Sequence, residues 1–441
     1  YNVIKNNMGR KEKKLWSEKS KGQQIKLYKA DNERDEAEFI CSEITSHIAS
    51  GASYQDIAIL YRMNAQSRVL EESLMKYSLP YNIYGGLRFY DRMEIKDIIS
   101  YLRVMDNPSD DVSLQRIINV PRRGIGDTSL EKLKNVAQER QDHLFNVIVK
   151  FDEDILGRTA SKVKEFAQIL LRLIDKKDKL SLTDLLQELL EESNYLGSLE
   201  KENSIEASSR IDNIKEFVSA AKEFEEGNPQ AGLTEFLESI ALIADIDRLE
   251  THDDSDNGSV SLMTMHSAKG LEFPTVFVTG LEEGLFPHSR SMESDEELEE
   301  ERRLCYVGIT RAKNLLYISH AVRRTLYGNA IFNTPSRFIR EIPRDLIEDL
   351  SRDSLDRTVN ISKPSSRHQD LLLGRKPKPI EKTKAKQRGR FNLGDKVHHT
   401  QFGDGTIVSI NGRDSDLILK VAFIQGGIKS FLGSLAPLKK I

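Results

Sequence analysis

Arg311 closes the run Glu299-Glu-Glu-Arg-Arg-Leu-Cys-Tyr-Val-Gly-Ile-Thr-Arg-Ala312, and its place in that run defines what it can do. Helical periodicity puts Leu298, Cys305, Ile309 and Ala312 near one face, so Arg311 leaves the C-terminal end of a helix just before a buried strand. A planar guanidinium at such a domain edge can project toward an incoming phosphate and stabilise charge developing on a γ-phosphoryl group. A cation there can also simply cap the helix dipole. The neighbouring Tyr306-Val-Gly-Ile-Thr310 tips the reading toward catalysis. The acids Glu296 to Glu301 read as a solvated first turn, where carboxylates complement the dipole, and not as a metal site.

A second string, Val260-Ser-Leu-Met-Thr-Met-His-Ser-Ala-Lys-Gly-Leu-Glu-Phe273, reads as a buried strand ending in a small-residue loop. Open α/β sheets bind ligands at the C-terminal edges of their strands. His266 is placed to meet a nucleic-acid phosphate or sugar, and Glu272 to accept a hydrogen bond from a ribose hydroxyl. Other strand ends offer cations, amides and rings: Arg62 and Asn64 after Tyr61, Arg88 with Phe89 and Tyr90 after Gly85-Gly86, and Tyr327 in Arg323-Arg-Thr-Leu-Tyr-Gly328. These types combine phosphate contact with base stacking, which suits single-stranded DNA; surface packing would use the same residues. Pro121-Arg-Arg-Gly-Ile-Gly126 lies between helical stretches. A Gly-x-Gly hairpin there can present amides to a duplex phosphate, with Arg122, Arg123, Gly124 and Gly126 as the contact set, or be a plain tight turn. Asp35-Glu-Ala-Glu38 imitates an Asp-Glu magnesium site but sits inside an amphipathic helix and is assigned no catalytic role. No G-x-x-x-x-G-K-[ST] phosphate loop occurs in the 441 residues.

The elements that must position these residues alternate. Strands at 24–29, 56–61 and 81–84 and helices at 33–50 and 67–79 predict a doubly wound, mostly parallel sheet over residues 1–93. From 94 to 258 strand signals give way to helical ones, such as Leu185, Leu186, Leu189 and Leu190, or Phe217, Ala220, Ala221 and Phe224. Strands resume at 260–264, 275–279 and 315–319, so an α/β domain is interrupted by an all-helical insertion and completed over 259–350. Residues 351–390 read as a flexible basic linker: eight Lys or Arg stand against one acid between Arg375 and Arg390. Short alternating strands separated by glycine turns over 391–441 predict a small SH3- or Tudor-like β-barrel.

A net charge of −4 excludes a uniformly basic coat, so any DNA contact must be focused. No run approaches the roughly 20 apolar residues of a membrane span. Cys41 and Cys305 lie far apart without metal or disulfide spacing, which fits a soluble, cytoplasmic protein. The opening Tyr1-Asn-Val-Ile reads as a truncated start and not as a targeting segment.

Ile57-Ala-Ile-Leu-Tyr-Arg-Met-Asn-Ala-Gln-Ser-Arg68, Tyr84-Gly-Gly-Leu-Arg-Phe-Tyr-Asp91, Asn119-Val-Pro-Arg-Arg-Gly-Ile-Gly126 and the first two strings together resemble the C-terminal part of the UvrD/PcrA helicases of superfamily 1. The terminal barrel after a basic linker resembles the PcrA branch. The resemblance implies a second RecA-like domain with its helical insertion, in an ATP-dependent motor moving 3′ to 5′ on single-stranded DNA and unwinding duplex in repair or replication. It implies Arg311 as the arginine finger, Glu272 as a nucleotide contact and Lys269 as a coupling residue at the ATP site. Arg62, Asn64, Arg88, His266 and Tyr327 would line the single strand, and the 124–126 hairpin would hold duplex. ATP and Mg²⁺ would be bound largely by an N-terminal half that this chain lacks, so the chain alone is expected to be inactive. RNA polymerase is the partner suggested for the barrel. The competing expectation is a non-enzymatic DNA-binding adaptor; a helicase-nuclease finds no clustered carboxylates for two metals.

Overall fold

The computed structural model describes residues 1–8, 22–250, 258–326, 329–351, 395–399, 403–411, 418–423, 427–432 and 438–440. Most of the stretch 351–390 and Tyr327 therefore lie outside the described residues. The chain divides into two compact units, Tyr1–Ile361 and Ser362–Ile441. Among the described residues no helix is long and apolar enough to cross a membrane.

In the first unit the strands are β1 (Ile25–Ala30), β2 (Ile57–Tyr61), β3 (Tyr81–Tyr84), β4 (Val260–Thr264), β5 (Phe273–Val278), β6 (Ala312–Ala321), β7 (Arg323–Leu326), β8 (Asn329–Phe332) and β9 (Ile347–Asp349). Seven of them form one sheet in the order β3-β4-β2-β5-β6-β1-β9, every neighbouring pair parallel. The unbroken apolar run Ile57-Ala-Ile-Leu-Tyr61 is buried at all five positions, as a central strand covered on both faces must be. Between β1 and β3 come α1 (Glu33–Ala49), capped by the Asn32 side chain, and α2 (Ser67–Lys76).

The span between β3 and β4 is helical: α3 (Met93–Asp106), α4 (Asp111–Ile117), α5 (Asp127–Arg140), α6 (Leu144–Val149), α7 (Glu153–Leu156), α8 (Ala160–Lys176), α9 (Leu182–Glu192), α10 (Tyr195–Glu202), α11 (Ile205–Gly227) and α12 (Leu233–Glu250). Leu185, Leu186, Leu189, Leu190, Phe217 and Ala221 all enter its own core. After β5, α13 (Asp295–Ile309) returns to the sheet. Side-chain alternation then divides the sheet: Ile57, Ile59 and Tyr61 join α1 and α2 on one face, whereas Ala58 and Leu60 join Leu304 and Cys305 of α13 on the other.

A buried charge cluster ties the helical insertion to the sheet domain. Arg68 of α2, 2% exposed, donates to Glu216 at 2.7 Å and to Glu223 at 3.2 Å, both on α11, and to Glu72 on its own helix. Beside it Arg92 donates to Asn213 of α11 at 2.8 Å and to the Ser67 hydroxyl at 2.7 Å. Burial, with the charges of Glu223 and Glu33, outweighs Arg68 at Glu216 and pushes its carboxyl up to about 7.

In the second unit β10 (Lys396–His399), β11 (Gly403–Asn411), β12 (Ile418–Phe423), β13 (Gly427–Leu432) and β14 (Leu438–Lys440) form an antiparallel sheet in the order β13-β12-β11-β10-β14. Val397, Ile407, Leu419 and Val421 point inward. The short alternating strands expected here are present, and β14, with 3 residues, is too short for its sequence to show alternation.

Two outcomes test the charge cluster by chemical denaturation followed by circular dichroism. Arg68→Ala leaves the buried Glu216 carboxyl without its partner and is expected to cost about 3 kcal/mol. A carboxyl raised in the folded state stabilises fully below its unfolded pKa and loses that contribution as pH rises through its folded value of about 7. Glu216→Gln should therefore remove part of the fall in denaturation midpoint between about pH 5 and pH 7; an unchanged profile would sink the assignment.

Candidate nucleotide and nucleic-acid interface

Strand β2 lies between β4 and β5, and all three are parallel, so the chain leaving Thr264 must travel back to the opposite sheet edge before entering Phe273. Met265 to Glu272 make that return. The connection begins as a helical turn, with Ala268 N–H donating to the Thr264 carbonyl at 3.2 Å and Leu271 N–H to that of Ala268 at 3.1 Å. Met265 and Ala268 are buried beneath α13. A Cβ on Gly308 would stand 3.3 Å from the Met265 sulfur, so the helix lies on the crossover at its closest permitted approach. The sequence reading placed the whole loop at the C-terminal edge. The structure divides it: His266 follows the C-terminal end of β4, and Glu272 precedes the N-terminal end of β5.

At the N-terminal edge Glu272 and Arg311 come together. Phe273 and Ala312 are register partners, and Phe273 N–H donates to the Arg311 carbonyl at 2.9 Å. The Arg311 guanidinium donates to the Val307 carbonyl at 3.0 Å, the Thr310 hydroxyl at 3.0 Å and the Leu271 carbonyl at 2.9 Å. It is folded onto the helix end, and does not project freely as expected. Glu272 and Lys269 are exposed.

At the C-terminal edge the expectation of an open cation at Arg62 meets a different geometry. Arg62 is held by both oxygens of Glu301, at 3.0 and 3.1 Å from Nε and 2.6 Å from Nη2. Glu301 also accepts the His288 N–H at 3.1 Å. It is buried, which corrects the reading of Glu296 to Glu301 as uniformly solvated: Glu301 falls on the α13 face turned to the sheet. His266 and His288 flank this pair. Partial burial first, then the Arg62 guanidinium, hold both imidazoles below their ordinary pKa against the pull of Glu301. Sequence spacing gave no sign of His288, which the fold brings to the Arg62 pair through its bond to Glu301.

Asn64 is half-buried at the start of a short 3-10 turn after β2. Arg88 lies with its guanidinium carbon 5.1 Å from the Tyr81 ring centre. Phe89, read as a stacking ring, is instead fully buried, and Tyr90 donates to Glu72 at 2.9 Å, so neither offers an open face. Tyr84 and Leu87 are the exposed apolar side chains here. Gly85, at φ +75°, has no room for a Cβ, which would stand 2.8 Å from the Ser267 hydroxyl. That contact sets the Arg88 loop against the His266 loop.

The Gly124 hairpin joins α4 to α5 in the insertion. Asn119 Oδ1 accepts the Arg123 and Ile125 N–H groups at 2.8 and 3.1 Å and fixes the turn. Arg123 turns inward: it donates to the Val120 carbonyl at 2.9 Å and the Tyr101 hydroxyl at 2.7 Å, and lies 4.8 Å from the Phe166 ring centre. Its guanidinium is thus engaged in building the hairpin. Arg122, Gly124 and Gly126 are exposed, and no side chain caps the α5 N-terminus at Gly126. Lys162 of α8 lies against Gly124, adding a cation that its distance in sequence concealed.

Glu301→Gln should cost roughly 2 kcal/mol. This is less than a fully buried pair, because Arg62 keeps 21% of its side chain exposed. Urea denaturation measures it, and an unchanged midpoint would mean that the pair does not hold α13 to β2.

Residues 1–323 match the family model of the UvrD-like helicase C-terminal domain, and residues 393–440 that of the PcrA/UvrD tudor domain. The chain is 44% identical to the ATP-dependent DNA helicase PcrA of Staphylococcus aureus (strain Mu50 / ATCC 700699), over 99% of this chain and 59% of that protein. It is 45% identical to the PcrA of Bacillus subtilis (strain 168), over 99% of this chain and 60% of the relative. The chain thus spans about three-fifths of the length of the curated relatives it matches. With a match across the interrupted sheet domain and its insertion, the chain belongs to the UvrD-like helicase C-terminal domain family.

Proposed function

We propose that this chain is the C-terminal motor half of an ATP-dependent DNA helicase that moves 3′ to 5′ on single-stranded DNA and unwinds duplex in repair or replication. The observation that carries the reading is the Met265–Glu272 crossover, which joins Arg311 and Glu272 at one sheet edge to His266, Arg62 and Arg88 at the other. ATP sits at the first edge, completed by a preceding RecA-like domain that supplies the phosphate loop and the Mg²⁺ ligands. Arg311 leaves its carbonyl partners to meet the γ-phosphate, Glu272 contacts the ribose and Lys269 couples the two edges. Single-stranded DNA runs along the second edge past Arg62, Asn64, Arg88 and His266, where a phosphate competes with Glu301 for Arg62; Tyr327 is a further contact to which the resemblance points. Duplex is held by Arg122, Gly124 and Gly126 together with Lys162. The terminal barrel recruits a partner, RNA polymerase being the one to which the resemblance points.

The test uses the longer protein that contains this chain. Arg311→Ala is expected to lower DNA-stimulated ATP turnover by about 10³-fold or more, because an arginine finger acts on transition-state charge. Affinity for single-stranded DNA should stay within about twofold, since Arg311 lies at the other sheet edge. Equal turnover in the variant would reject the role and favour the adaptor reading, which has no use for a nucleotide contact.

A further inference from the structure

The β7–β8 hairpin carries an aromatic side chain that no core takes up. Its register pairs Arg323 with Phe332, Arg324 with Ile331 and Thr325 with Ala330. Alternation gives the hairpin two unlike faces. On one, Arg324 is buried and bonded to Glu36 of α1 and to Glu282, at 2.6 Å each, which fixes the hairpin to the sheet domain. On the other, Arg323 and Phe332 are cross-strand neighbours, and both are exposed, Phe332 at 75%. Leaving a phenylalanine in water forgoes roughly 1.5–3 kcal/mol of burial. Arg323, among the described residues, enters no ion pair.

The hairpin leaves the C-terminal end of β6, so this face stands at the same sheet edge as Arg62, His266 and Arg88. An aromatic ring beside an unpaired guanidinium is the pair of groups that holds one nucleotide of a single strand: the ring stacks on the base and the cation meets its phosphate. A protein partner would be matched better by a wider apolar patch, yet the remaining pair on this face is Thr325 and Ala330. We propose that Phe332 and Arg323 form a stacking step for one nucleotide of single-stranded DNA, extending the track onto the outer face of the hairpin. The inference rests on the reading of this chain as a single-strand binder.

Fluorescence anisotropy of a labelled oligo(dT) titrated with this chain tests it. Base stacking is worth roughly 1–3 kcal/mol, so Phe332→Ala should weaken binding between about fivefold and a hundredfold. Phe332→Trp should restore it, and Arg323→Gln should weaken it less. Both side chains are exposed, so the melting midpoint should not move. Phe332→Ala binding as tightly as the parent, while Arg88→Ala binds more weakly, overturns the stacking step and leaves the single-strand reading standing. A parent chain that binds no oligo(dT) overturns both.

Discussion

A parallel sheet obliges the chain to travel back along its own length before each new strand, and between β4 and β5 it has only Met265 to Glu272 in which to do so. The six residues of β5 span about 20 Å at ~3.3 Å per residue. A helical turn at ~1.5 Å per residue followed by two or three extended residues covers nearly the same distance. Little slack remains. The N-terminal and C-terminal edges are therefore held at a fixed spacing, with α13 pressed over the connection through Gly308. Arg311 caps that helix, and Glu301 within it holds Arg62, so both edges are also joined through one rigid element.

Arginines do much of the internal fastening. Arg68 joins α2 to α11, Arg324 joins a hairpin to α1, Arg302 bonds Glu341 at about 3 Å, and Arg123 shapes the insertion's turn. Each sits among carboxylates or carbonyls that satisfy its planar fork of donors, the condition under which a buried guanidinium is tolerated. The insertion is thereby oriented on the sheet domain by charge as well as by apolar contact.

That fastening also marks the limit of what was legible in the sequence. The β1 to β6 strands, the helical insertion and the antiparallel terminal sheet follow from periodicity, because their apolar positions alternate or recur as burial requires. The strings around His266 and Arg311 locate the interface for the same reason: they are short and local. Residue roles that depend on distant partners were out of reach. Arg62 and Arg123 read as open cations and Phe89 as an open ring, yet Glu301, Tyr101 and the core take them up. His288 and Lys162 were invisible because only folding brings them to Arg62 and Gly124. The β7–β8 hairpin and β9, at four residues or fewer per strand, show no apolar alternation in their sequences and gave no signal.

The Arg62–Glu301 pair means that this strand edge already carries its own counter-ion. On the proposed reading, a DNA phosphate reaching Arg62 displaces a carboxylate and not a dissolved anion, so the contact forms by exchange. Affinity for nucleic acid ordinarily falls with salt in proportion to the number of ions set free. A phosphate that takes the place of Glu301 still frees the cation condensed on the DNA, but the displaced carboxylate must take up a cation or a proton in exchange, so this contact adds less to the salt dependence of binding than an open arginine would.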